Sequence, residues 1–228
     1  MTAGGAARDL ISAGGAVLGI ELGSTRIKAC LIGERPVDVL AVGEHSWENS
    51  YVDGRWTYPL EEVWLGVQAA YADLVATVRA RHEVELTSVR AMGVSAMMHG
   101  YLAFDTEGRQ LVPMRTWRNT STGRAAGVLT EVLGQNIPLR WSIAHLHQAV
   151  LDREPHVPQV DFVTTLSGYV HWKLTGRKVL GVGDASGMFP IGAGTCDYDE
   201  QLVQRYDELV AGEGLDRGLR ELLPAVLA

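Results

Sequence analysis

Between Gly19 and Lys28 the chain reads Gly-Ile-Glu-Leu-Gly-Ser-Thr-Arg-Ile-Lys. An apolar run ends in a carboxylate, Glu21. Gly23 makes a tight turn, the hydroxyls of Ser24 and Thr25 follow, and Lys28 adds a positive charge. Such a grouping suits a phosphate-like anion. A glycine lets backbone N–H groups approach it closely, the hydroxyls add donors, and the lysine supplies charge. Glu21 can hold Mg²⁺ through water. The spacing is not that of a P-loop, because G-x-x-x-x-G-K-[ST] is absent. The same residues also suit an ordinary hairpin with a polar turn, and this short segment alone weighs the two readings about equally.

The elements that must position these residues are legible in the pattern. Residues 1–14, rich in Ala and Gly, read as a loose leader, and a domain begins at residue 15. Val17, Leu18 and Ile20 form one strand, Ile27, Ala29, Leu31 and Ile32 a second, and Val37 to Val42 a third. Three strands joined by short turns predict an antiparallel meander. A polar, aromatic loop with Asp53-Gly54 as its turn runs from Trp47 to Tyr58. A helix follows Pro59, with Glu61 and Glu62 at its positive end. Val63, Val67, Ala70, Leu74 and Val78 give it one buried face. Strands are expected at Val89–Ser95, Tyr101–Phe104 and Phe162–Thr165. Helices are expected at Thr122–Leu133, Ile143–Arg153 and Ser167–Leu174. The sum is an α/β fold with a mixed sheet.

Composition narrows the classes. With 228 residues and 46% hydrophobic content, one large domain is affordable in core and two are marginal. A net charge of -7 argues against a nucleic-acid role, which needs a basic face. No stretch of about 18 apolar residues exists, so no membrane span is expected. Cys30 and Cys196 form no CxxC pair. A reducing, cytoplasmic setting is therefore the default.

Strand, carboxylate, glycine, two hydroxyls and strand together resemble the first phosphate motif of the actin-like ATPases and sugar kinases. That family usually carries Asp where Glu21 stands here. Gly93-Val94-Ser95-Ala96-Met97-Met98-His99-Gly100 resembles the strand-then-Met-His-Gly element of xylulokinase-like FGGY carbohydrate kinases. Trp117-Arg118-Asn119 resembles their Trp-Asn-Asp or Trp-Gln-Asp segment, without the carboxylate. Ser167 to Gly176 is similar to their helix ending in Leu-Thr-Gly, and Gly183-Asp184-Ala185-Ser186-Gly187 to their Ser-Asp-Ala-Ala-Gly element. His145-Leu146-His147-Gln148-Ala149 replaces the usual Pro-Lys-Leu-x-Trp. The four matches fall in the family's order from Ala16 onward.

The resemblance implies a ribonuclease-H-like (actin-like ATPase) domain with a mixed sheet. It implies transfer of the ATP γ-phosphoryl to a sugar hydroxyl, with a pentulose such as xylulose as substrate. Glu21, Gly23, Ser24, Thr25 and Lys28 would hold ATP phosphates and Mg²⁺, Glu21 through water. Met98, His99, Gly100, Trp117, Arg118, Asn119 and Trp141 would bind the sugar: His99 donates and accepts, and an indole offers an apolar face. Taken alone, His99, Trp117 and Trp141 equally suit core or surface roles, and Asp184 a helix N-cap. Asp184 is the catalytic candidate within the chain. The family's usual base, a Gly-Asp after a glycine-rich strand, is expected beyond Ala228, as is a C-terminal kinase domain holding adenosine. Residues 15–228 then form an N-terminal domain cut short at its C-terminal end and inactive alone. The tail from Leu215 would leave apolar surface exposed. Two other readings stand beside this one: a non-catalytic sugar-binding or regulatory remnant, and an actin-like ATPase unrelated to sugars.

Overall fold

The computed structural model describes residues 3–227. The chain divides into two compact units. One comprises Met1–Asn49 and Pro59–Ala96, the other Ser50–Tyr58 and Met97–Ala228.

The chain starts with a helix where a loose leader was expected, although Met1 and Thr2 lie outside the described residues. Helix α1 spans Ala3–Ser12. Alanine carries no helix penalty, and Ile11 is buried in the first unit. The glycines that read as looseness close the helix instead. Gly14 N–H donates to Ile11 C=O and Gly15 N–H to Leu10 C=O, with Gly14 at φ +67°. This is the paired cap in which a left-handed residue satisfies the last carbonyls.

The expected meander follows as β1 (Val17–Leu22), β2 (Arg26–Ile32) and β3 (Val39–Ser46), with β1–β2 and β2–β3 antiparallel. The third strand starts later than predicted and runs longer. The Trp47–Tyr58 stretch is more ordered than a loop: β4 (Ser50–Val52) and β5 (Arg55–Thr57) form a hairpin. Asp53 and Gly54 both take positive φ, the turn that matches strand twist. Helix α2 (Leu60–His82) follows Pro59 and buries Val63, Val67, Ala70, Leu74 and Val78, the face that the spacing marked. Glu61 and Glu62 sit in its first turn and Arg79, Arg81 and His82 in its last, both favourable to the helix dipole. β6 (Ala91–Ala96) then pairs parallel with β1. The sheet order is β3-β2-β1-β6, which is mixed as expected. On the face carrying Gly19, Cys30, Val42 and Gly93 the sheet holds an open trough of about 510 Å³.

In the second unit, β7 (Gly100–Phe104) is wholly buried. It lies between β8 (Arg115–Thr116) and β9 (Phe162–Thr164), antiparallel to both. Helices α3 (Gly123–Leu133), α4 (Ser142–Leu151) and α5 (Leu166–Thr175) match their expected positions within two residues. Periodicity missed the short β10 (Val179–Gly181) and α6 (Val182–Ala185), and also α7 (Glu200–Leu209). The last had a readable start, since Asp199 caps the N–H groups of Gln201 and Leu202. The tail differs from expectation. Leu219, Leu222 and Leu223 are buried in the core of this unit, around α8 (Leu219–Leu222). β11 (Ala225–Leu227) pairs parallel with β10. Three leucines of the tail are thus buried within its own unit, while Leu227 stays 43% exposed as expected, and Ala228 lies outside the described residues.

Candidate functional site

In the first unit, the turn from Gly23 to Thr25 lies between β1 and β2, outside any helix. Gly23 N–H donates to Arg26 C=O at 2.9 Å, closing the turn. Trp47 braces it from behind. Its indole N–H donates to Gly23 C=O at 2.7 Å, and its backbone N–H to Thr25 C=O at 3.1 Å. Trp47 is buried, whereas Ser24 and Thr25 are exposed. Glu21 and Lys28 are register partners across β1 and β2, with Nζ 3.3 Å from Oε2. Their juxtaposition follows from the two-residue-per-side alternation of paired strands. Among the described residues no three His, Cys, Asp or Glu side chains converge as a metal cage. A single carboxylate beside a turn fits Mg²⁺ in the way that ion is usually held, through retained waters and phosphate oxygens.

In the second unit, the register pairs Gly100 with Thr116 and Tyr101 with Arg115. His99 directly precedes β7 and Trp117 directly follows β8. Trp117 is 44% exposed, which leaves a ring face open. His99 is half-buried beside Gly187, whose position would place a Cβ 2.9 Å from His99 Nδ1. Burial, with a smaller effect from the Arg140 charge, lowers the His99 pKa and favours neutral imidazole. Met98 reaches the same glycine. Ser142 donates its hydroxyl to Gly100 C=O at 2.6 Å, and Ile143 N–H donates to Met188 C=O at 3.1 Å. These bonds tie the start of α4, and Trp141 just before it, to the start of β7 and the end of α6. Trp141 also packs against the unit's core.

Asp184 lies in α6, whose N-cap is Gly181, so the aspartate is not a helix cap. Its Oδ2 accepts hydrogen bonds from Ser167 and, at 3.3 Å, from Thr165. Burial pushes its pKa up to about 6, and the Thr165 hydrogen bond pulls the other way. Asp184 and Gly187 share one short turn, so the Asp184 and His99 segments meet.

Arg118 and Asn119 pack on the β4–β5 hairpin. Arg118 lays its guanidinium 3.8 Å from the centre of the Trp56 ring on β5. Asn119 is buried, with Oδ1 accepting from Trp56 N–H at 2.8 Å. Its Nδ2 donates to Trp56 C=O at 2.8 Å and to Thr116 C=O at 3.1 Å. Beneath them, Glu154 accepts from Arg55 of β5 at 3.1 Å and from Arg115 of β8. Trp47, Trp56 and Glu154 were missed from sequence. Only the exposed Asp53-Gly54 hairpin signal pointed toward Trp56.

The sequence model of the N-terminal domain of the FGGY family of carbohydrate kinases matches residues 16–208. The chain belongs to this family. Xylulose kinase of Escherichia coli (strain K12) is 24% identical over 201 residues, covering 83% of this chain and 40% of that protein. Glycerol kinase of Thermococcus kodakarensis is 22% identical over 204 residues, covering 84% and 40%. The chain thus spans about 40% of the length of the curated relatives it matches. Among solved structures, a kinase from Brucella ovis described as a xyloylose kinase superposes with a TM-score of 0.75 at 20% identity, over 93% of this chain and 42% of the other. The xylulose kinase of Rhodospirillum rubrum gives 0.74 at 21%, over 92% and 43%. The fold is therefore that of the FGGY kinases, an actin-like ATPase fold with a mixed sheet.

Where FGGY kinases usually read Pro-Lys-Leu-x-Trp, this member buries His145 and His147 on α4. Neither ring has a hydrogen-bond partner among the described residues. Burial, aided by the Arg115 and Arg55 charges, lowers His145 to about 3. Burial and Arg124 lower His147 to about 4. Both are neutral core groups near neutral pH. No described helix is long and apolar enough to cross a membrane.

Proposed function

We propose that this chain supplies the sugar-binding surface and the phosphate turn of an ATP-dependent kinase that phosphorylates a ketopentose of the xylulose type. The observation that carries the reading is the meeting of four separate segments in the second unit. His99 directly precedes Gly100 and Trp117 directly follows its register partner Thr116, and Met98 and His99 pack on the turn that holds Asp184. Trp141 joins them through the Ser142–Gly100 bond.

Each group has a task on this reading. Neutral His99, whose Nδ1 is buried against Gly187, turns its Nε2 to one sugar hydroxyl, and Gly100 lets the ring approach the backbone. Trp117 and Trp141 present apolar ring faces. Arg118, directed by Trp56, sits at the rim. Gly23, Ser24 and Thr25 donate to phosphate oxygens, and Lys28, now paired with Glu21, shifts toward the added negative charge. ATP would supply the phosphoryl group, and Mg²⁺, held through water at Glu21, would neutralise its charge. The sugar hydroxyl forms the new P–O bond as the bond to ADP breaks, and its proton passes to a carboxylate, a transfer worth roughly 10²–10⁴-fold. Asp184 is the carboxylate of this chain nearest that task. The family's usual base belongs to a Gly-Asp element that residues 1–228 do not contain after Gly183-Asp184. Because the chain spans about 40% of the length of the relatives it matches, we assign full activity to this chain joined by a further kinase domain that holds adenosine. The reaction is cytoplasmic, where ATP is available.

The test is ADP release from purified chain with Mg²⁺-ATP over ketoses, aldoses and polyols. No sugar-dependent turnover is expected from the chain alone, and turnover is expected once a C-terminal kinase half is added. Turnover by the chain alone, abolished by Asp184→Asn, would overturn this assignment and make Asp184 the base. ATP hydrolysis indifferent to every sugar would point to an ATPase unrelated to them.

A further inference from the structure

Trp56 belongs to the β4–β5 hairpin, far in sequence from Trp117, yet three sets of contacts join the hairpin to the Trp117–Asn119 turn. Asn119 spends its whole amide on the hairpin and its own turn: one bond accepted from Trp56 N–H, one donated to Trp56 C=O and one to Thr116 C=O. The Trp56 indole lies under the Arg118 guanidinium at 3.8 Å and against Tyr51, with ring centres 5.0 Å apart. Arg55, one residue before Trp56, bonds Glu154, which also holds Arg115 at the base of the same turn.

We propose that Asn119 is a positioning residue and not a sugar ligand, and that with Trp56 it forms a clamp fixing where Trp117 and Arg118 point. This rests on the sugar-site reading above. The physical ground is satisfaction. A buried amide whose oxygen and both donor directions are engaged by backbone has little left to offer a ligand, and those bonds are costly to break. Arg118, by contrast, is exposed, and its planar head is held flat on an indole, which orients its donors without burying them. The clamp thus sets the reach of the one cation adjacent to Trp117. It offers a ketose a fixed donor fork at the rim, in place of the amide that the Trp-Asn-Asp or Trp-Gln-Asp pattern carries at that position.

The experiment uses the 228-residue chain and reads two things. The first is the Arg118 side-chain NMR signal, which the Trp56 ring current displaces, and the second is its shift, with that of the Trp117 indole N–H, as D-xylulose is titrated to high millimolar concentration. Asn119→Ala is expected to collapse the ring-current displacement and to weaken xylulose binding about tenfold, the worth of one or two hydrogen bonds. Trp56→Ala changes a half-exposed residue, leaves every backbone bond to Asn119 available and should do the same, so a folding failure of the first variant does not decide the matter. Trp56→Phe, which keeps an aromatic face, should restore most of the affinity. Retention of the displaced Arg118 signal in Asn119→Ala would overturn the clamp. Loss of that signal with unchanged affinity would overturn its role in positioning. A native chain whose Trp117 and Arg118 signals ignore every ketose would sink the sugar reading, and this proposal with it, whatever the ring current shows.

Discussion

Lowering the pH from 7 to 5 should destabilise the second unit, and His145 alone should account for about 2 kcal/mol of the loss. His145 is fully buried with both ring nitrogens unpartnered, and its pKa is about 3 in the fold. An unfolded imidazole titrates near ~6.5. The folded pKa is depressed, so the native state resists protonation while the unfolded state accepts it. The stabilising difference is present in full above about 6.5 and is lost as pH falls toward 3. At pH 5 the unfolded ring lies about 1.5 units below its pKa and the folded ring is still neutral, which at 1.36 kcal/mol per unit gives about 2 kcal/mol.

His147 and His156, each at about 4, act in the same direction over the same window. For His156 the cause is burial, then the Arg115 charge, with Glu154 opposing. Asp184 works against them. Its folded pKa is raised to about 6, so the native state takes up a proton first on acidification and regains about 1 kcal/mol. Urea unfolding followed by circular dichroism at several pH values measures the slope. His145→Leu, which fills similar space without titrating, should reduce the loss between pH 7 and 5 by about 2 kcal/mol. An unchanged slope in that variant would refute the argument, as would a folded His145 titrating near 6.5 by NMR.

Two further outcomes follow from close contacts in the first unit. A Cβ on Gly43 of β3 would stand 2.1 Å from Leu74 N and 2.3 Å from Ala70 O, both backbone atoms of α2. Gly43→Ala must therefore push the helix off the sheet and should cost about 3 kcal/mol or more in urea unfolding; a loss below about 1 kcal/mol would mean the helix yields freely. Trp47→Phe removes the indole bond to Gly23 C=O and should cost about 1 kcal/mol while speeding hydrogen exchange at Gly23. Unchanged exchange there would show that the turn holds itself.

Elements whose burial is one-sided and local could be read directly from residue order. Val63, Val67, Ala70, Leu74 and Val78 recur at helical spacing because one face of α2 meets a sheet, and the structure buries all five. The meander was legible for the same reason at period two, and the order of short motifs sufficed to indicate the family. Pairings between residues far apart in the chain emerged only with the folded arrangement. Gly14 and Gly15 read as looseness because a cap is visible only once the carbonyls of Leu10 and Ile11 have a helix to end. Leu219, Leu222 and Leu223 read as exposed because nothing local says that they join the core formed by residues such as Tyr101, Val163 and Met188. The partners of Asn119 were equally invisible: its amide bonds the backbone of Trp56, 63 positions away, and a polar side chain inside a fold goes to whichever backbone group would otherwise be left without a partner.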